Sequence, residues 1–203
     1  MPWGCGRAEH YAEVAQRADT LYQSGGADVL QGLALFDAER RHIEAAFAFL
    51  AAQSAHDDLL LDLVDGVADT GNLRFHPRDR IRWLEVQRAV ARRLGVKGAE
   101  GHALGNLGTA YYALGEICRA IDHYGQHLAI ARGMGDRLGE SHALGNLGIA
   151  YADLGEPRVA IDQHEQNLAI ARAIGYRHGV GAALGNLGFA YILLHASKRD
   201  FCK

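Results

Sequence analysis

The string Ala103-Leu-Gly-Asn-Leu-Gly108 returns as Ala143-Leu-Gly-Asn-Leu-Gly148 and again as Ala183-Leu-Gly-Asn-Leu-Gly188, each copy 40 residues after the last. A second block keeps the same register, Leu128-Ala-Ile-Ala-Arg132 recurring as Leu168-Ala-Ile-Ala-Arg172. Two blocks in fixed register define a tandem unit. A unit of this length cannot bury its apolar face alone and must stack on its neighbours.

Inside the unit the apolar spacing is helical. Leu104, Leu107, Gly108, Tyr111 and Leu114 fall on one face at steps of three and four, which predicts a first helix. Gly115-Glu116 interrupts the pattern, and Gly155-Glu156-Pro157 does so in the next copy; proline suits the first turn of a helix, where its missing N–H has no partner to lose. A second helix is expected to bury Ile121, Tyr124, Leu128 and Ala131, and Gly133 and Gly135 close the unit. Gly108, Gly148 and Gly188 stand inside predicted helices, where glycine costs about 1 kcal/mol against alanine. Recurrence of that cost implies a neighbouring helix passing too close for a side chain.

Leu104-x-x-Leu-Gly108-x-x-Tyr111 followed by Ala120-x-x-x-Tyr124 resembles the tetratricopeptide signature, with leucine at the usual tryptophan position. The 40-residue period is longer than the common 34 and is similar to that of LGN-like adaptors and of the sensor arms of bacterial STAND-type ATPases. Two positions depart from the pattern: His127 and Asn167 replace the small residue late in the second helix, and Arg132 and Arg172 replace the closing proline. The resemblance implies an all-α fold, a right-handed α-solenoid of antiparallel helix pairs, with repeats over 101–194 (101–140, 141–180 and a partial 181–194) and a tail at 195–203.

Upstream, Ala91-Arg92-x-Leu94-Gly95 aligns with Ala131-Arg132-x-Met134-Gly135, placing a degenerate helix pair over 57–100. Its helices are expected at Asp57–Asp69 and from His76-Pro77 to Leu94. An N-terminal segment, 1–56, is read as two helices, Ala8–Gln23 and Ala27–Ala52. Leu35 to Phe47 and Arg78 to Leu84 resemble the segment joining a STAND ATPase core to its repeats, but no G-x-x-x-x-G-K-[ST] is present to bind nucleotide.

With Leu104, Leu107 and Tyr111 packed inward, the first-helix face carrying His102, Asn106 and Thr109 is expected to line a concave groove. The matching positions are His142, Asn146, Ile149 and Asp153, then Asn186. An asparagine amide offers donors and an acceptor that pair with the backbone of an extended peptide whatever its side chains. The resemblance implies peptide contact for Asn106, Asn146 and Asn186. The same asparagines also suit a bracing role between helices, and both readings stand. Arg137 and Arg177, at the unit junctions, are candidates to anchor acidic groups of a ligand or to be simply solvated.

Composition excludes several other classes. With 49% hydrophobic and 22% charged residues, the 203-residue chain is of the folded, not the disordered, kind. Its net charge of -3 and the absence of a Lys/Arg run argue against a nucleic-acid partner. No apolar stretch is expected to approach the roughly 20 residues of a membrane span, and Met1 to Arg7 has no signal-peptide core, so a cytoplasmic protein without a membrane partner is expected. Cys5, Cys118 and Cys202 form no C-x-x-C. Among 11 histidines only His123 and His127 have ligand spacing on one helix, and the next copy replaces them with Gln163 and Asn167. Asp58, Asp62, Asp65 and Asp69 read as a solvated acidic face. No metal, cofactor or catalytic residue is expected; the chain reads as a protein-binding scaffold, not an enzyme. The alternative is a structural fragment that self-associates as a weak homodimer through Ile192, Leu193 and Leu194 at its C-terminal end.

Overall fold

The structure, a computed structural model, describes the backbone of residues 4–200 and the side chains of 4–196; Cys202 and Met1–Trp3 lie outside the described residues. Among the described residues the chain is all-α, with ten α-helices packed in consecutive pairs. They are α1 (Cys5–Ser24), α2 (Asp28–Ala51), α3 (Asp57–Asp65), α4 (Ala68–Arg74), α5 (Pro77–Leu94), α6 (Lys97–Ala113), α7 (Ile117–Met134), α8 (Arg137–Asp153), α9 (Pro157–Ala173) and α10 (Arg177–Asp200). Two compact units divide at Ala99 and Glu100. Residues 195–200, expected in the tail, continue α10.

The first unit is built on close helix crossings and an aromatic core. Ala8, Ala12, Ala15 and Ala18 form the buried stripe of α1, and α2 meets it at Gly32, where an added Cβ would lie 2.5 Å from the Ala18 carbonyl oxygen. Phe47 stacks on Trp83 with centroids 4.0 Å apart, and Phe75 leans on the same indole. The helix expected over Asp57–Asp69 is two helices, for two reasons. At Gly66 the backbone of α1 passes so near that a Cβ would stand 2.9 Å from the Gln16 nitrogen. Beyond it the buried Asp19 carboxylate accepts from the Asp69 and Thr70 backbone N–H groups, at 3.2 and 2.7 Å, holding the start of α4 from outside its own sequence. Burial raises the Asp19 pKa, although the Thr70 and Asp69 bonds pull the other way. The acidic row is accordingly broken: Asp65 accepts from Gln87 and Asp69 from Gln23.

A 20-residue rhythm runs beneath the 40-residue one. Gly95, Gly115, Gly135, Gly155 and Gly175 all have φ between 69° and 83°, the left-handed conformation that glycine adopts without a side-chain penalty. After each, the next N–H reaches back to close the helix: Val96 to Ala91, Glu116 to Tyr111, Asp136 to Ala131, Glu156 to Tyr151 and Tyr176 to Ala171, all at 2.8–3.0 Å. These are Schellman closures. Helix starts are also encoded locally: Pro157 opens α9, His76 accepts from Arg78 N ahead of Pro77, and Asp136 accepts from Gly139 N at 2.9 Å to begin α8. Gly133, expected to share in closing its unit, lies within α7.

In the second unit Leu104, Leu107 and Tyr111 are buried as expected, but the buried face of α7 is turned. Tyr124 and Ala131 are inside, Ile121 and Leu128 only half so, and His123 and His127 take up the rest of that face. Cys118 stands in the first turn of α7 and is exposed. One helix, over Arg177–Ala196, has the length and mean hydropathy, 1.4, of a membrane span. This corrects the expectation that no apolar stretch approaches that length; the glycines and Asn186 inside the stretch disguise it. Ala190 and Leu187 of that helix pack with Ala160 and Ile161 of α9.

Candidate functional site

The glycines inside the first helices mark where second-helix rings enter. A Cβ at Gly108 would lie 2.5 Å from the Tyr124 ring, and one at Gly148 would collide with the buried His164 imidazole. One turn earlier a second pair of notches opens: Gly105 faces His127 and Gly145 faces Asn167, with a Cβ approaching to 2.9 and 3.0 Å. His127 and Asn167 replace the small residue of the family pattern, and glycine on the facing helix makes the compensating room.

Between α6, α8 and α10 lies a cavity of about 370 Å³. Asn106, Asn146 and Asn186 line it, one from each helix, together with His102, His142, Thr109 and Ile149. Seven of the ten groove candidates thus share one surface. Asp153 lies off the cavity and accepts from the Tyr112 hydroxyl, a bond that, with burial, pushes the Tyr112 pKa up to about 12. Arg137 is committed to Glu140, whose buried carboxylate also takes Arg132 at 2.8 Å. Arg177 is exposed at the first turn of α10 and is not among the lining residues.

Sequence reasoning missed the deeper wall. His127, Asn167 and Ser141 lie at the bottom of the cavity, and Tyr176 and His178 at its edge. Ser141 Oγ donates to Asn167 Oδ1 at 2.5 Å. The readable signal was the coincidence of an oversized second-helix residue with a glycine 22 positions earlier in both copies. Tyr176 is held edge-on by His142 at 5.6 Å between centroids.

No residue lining the cavity carries a fixed charge. Burial drives the His127 pKa down to about 4, with His102 and His142 adding like-charge repulsion against an opposing Asp136. His142 is lowered in the same direction, again chiefly by burial, with Asp136 opposing and His102 and His178 reinforcing. The floor is therefore neutral near pH 7, rich in donors and acceptors and poor in charge. His123 is engaged elsewhere, stacked on Tyr111 at 5.0 Å, with the Arg119 guanidinium also over that ring. Among the described residues no three His, Cys, Asp or Glu side chains are grouped to hold a metal. Near the N-terminus Cys5 Sγ meets His56 Nδ1 at 3.6 Å, but burial and Glu9 raise the thiol pKa, the opposite of what a nucleophile requires.

A family model described as a tetratricopeptide repeat matches residues 100–173. No curated protein matches the chain in sequence. Among solved structures, a signal-transduction ATPase with numerous domains (STAND) from Pyrococcus horikoshii, with a tetratricopeptide repeat sensor, is similar at a TM-score of 0.73 and 18% identity. That likeness covers 94% of this chain and 28% of that one, so this chain spans little more than a quarter of the ATPase's length. A putative kinesin light chain with nearly identical TPR-like repeats, from Podosopora anserina, is similar at 0.67 and 18% identity over 95% of this chain and 90% of the other. BtubC (BKLC) from P. vanneervenii gives 0.58 and 17% over 95% and 89%. At such identities these likenesses show the fold alone, a helical-pair repeat like those of the tetratricopeptide proteins. The sequence match to the tetratricopeptide-repeat model rests on residues 100–173, where the repeated helix pairs and their left-handed glycine closures lie.

Proposed function

We propose that the protein is a non-catalytic scaffold that takes an extended peptide, or an extended segment of a protein, in the groove lined by α6, α8 and α10. The observation that carries this reading is the placement of Asn106, Asn146 and Asn186 on one uncharged cavity wall at the same position of three successive first helices. Such a row can pair with peptide backbone at regular intervals, giving affinity without strong dependence on ligand charge. Tetratricopeptide repeats in general are interaction scaffolds, and the likeness to a STAND sensor supports a role as an adaptor or as the sensing arm of a larger signalling protein.

The test is selection of random dodecapeptides displayed on phage, with the native chain and an Asn106, Asn146, Asn186 triple alanine variant as baits, both shown helical by circular dichroism. Peptides enriched by the native chain and lost with the variant support the groove. Peptides kept by both move the binding surface elsewhere. A second reading, self-association through α10, is favoured by one observation: Leu184, Phe189 and Ile192 are 49%, 53% and 65% exposed. Sedimentation velocity across a hundredfold range of concentration tests it, and a constant monomer mass would end it.

A further inference from the structure

We infer that the floor of the groove is a subsite for a carboxamide, the side chain of a glutamine or asparagine in the bound peptide, read by His127 and Asn167. The inference rests on the peptide-groove reading above and names what that groove selects.

The argument begins with two polar side chains on the floor, one of which the fold buries without satisfying. His127 is 7% exposed, yet its Nδ1 has no hydrogen-bond partner among the described residues. That nitrogen lies on the edge of the ring turned toward Gly105, where the first helix carries no side chain. Asn167 is 5% exposed; its Oδ1 is taken by Ser141, while its Nδ2 lies beside Gly145. Leaving the His127 nitrogen unpaired is costly, and both residues line the same cavity. Their positions in the family pattern call for small residues. An alanine at 127 would leave no unpaired ring nitrogen, so packing does not account for the imidazole; Asn167 braces Ser141 through its oxygen and keeps its amide donor for the cavity.

Chemistry then narrows the occupant. A neutral imidazole presents one donor and one acceptor, and the Asn167 amide presents a donor. A carboxamide answers both: its oxygen accepts from Asn167 Nδ2 and its NH₂ donates to the acceptor nitrogen of the imidazole. A carboxylate has only acceptors and would enter a floor with no cation while Asp136 acts on His127 from nearby. A lysine or arginine would find no carboxylate in the lining. An apolar side chain would leave both polar groups as they are.

The experiment continues the phage selection. Peptides enriched by the native chain should share a Gln or Asn at one fixed position. In synthetic copies, its replacement by Ala should raise Kd at least about tenfold on the native chain, as for other buried groups whose partner is removed. On His127→Ala the same replacement should cost under about twofold, and likewise on Asn167→Ala. Both variants place the family's small residue at its own position, so either serves if the other folds poorly. An unchanged cost on the variants, or a carboxylate or apolar residue at the fixed position, overturns the subsite while leaving the groove. Failure of the native chain to enrich any peptide overturns both.

Discussion

Gly108, Gly148 and Gly188 occupy the same place in three copies of an identical hexapeptide, yet they meet different surroundings. The first two are filled by a tyrosine and a histidine ring; the third meets no atom of the described residues within 4 Å. The leucine at the head of each copy follows suit, 2% exposed at Leu104, 0% at Leu144 and 49% at Leu184. Identical local sequence thus gives a helix in every copy, while burial depends on whether a second helix lies against it. Tyr124 of α7 and His164 of α9 supply that cover for α6 and α8, whereas α10 lies against α9 and α8 and, among the described residues, keeps Leu184, Phe189 and Ile192 exposed.

The largest expected break in this comparison is at the leucines. Leu144→Ala removes a fully buried side chain and should lower stability by about 2–5 kcal/mol, whereas Leu184→Ala should cost under about 1 kcal/mol. Paired urea titrations measure both, and equal losses would mean that α10 is covered in solution. Acidification comes next and acts on the covered copies. His127 has a folded-state pKa of about 4 against an ordinary 6.5, and burial lowers that of His164 as well. A base held neutral by folding is protonated first in the unfolded chain. Stability is therefore full above pH 6.5 and declines as pH falls toward 4, by about 3 kcal/mol for His127 alone. Urea midpoints at pH 7.5, 6, 5 and 4 should show that decline, and His127→Ala should flatten it.

The glycines come third and differ in sign. Gly108→Ala and Gly148→Ala push a Cβ into a ring and should cost about 1–3 kcal/mol. Gly188→Ala meets open space in a helix and should stabilise by up to about 1 kcal/mol through helix propensity alone. Thermal melts of the three variants settle the sign at each position. A loss without any clash is expected at Gly135, where φ is +69° and nothing crowds the Cβ. Alanine there should cost about 1–2 kcal/mol, the backbone penalty without a clash. A loss as large as at Gly148 would show that packing, not backbone conformation, governs the closure.

Much of this was legible from the chain itself. The 40-residue recurrence foretold paired helices, and the mid-helix glycines foretold close approach, realised at Gly108 and Gly148. The Asn106, Asn146 and Asn186 row was readable as one face because helical periodicity alone decides which residues share it. Less visible were features that depend on a partner far away in sequence. Asp57–Asp69 looked like one helix because neither the crossing of α1 at Gly66 nor the hold of Asp19 on α4 is written in that stretch. Arg137 looked free because Glu140 gave no sign that it would be buried between two arginines.

The sequence by itself determined the all-α class, the pairing of helices within the repeats and their likeness to tetratricopeptide units, because each depends on local periodicity and on glycines at fixed intervals. Only the tertiary structure decided which identical residues are covered, and that His127 and Asn167 reach the groove floor through gaps left by Gly105 and Gly145. The reason is physical: helix formation is settled by hydrogen bonds within a few residues, whereas burial and the neutrality of a histidine are settled by whatever packs from another helix.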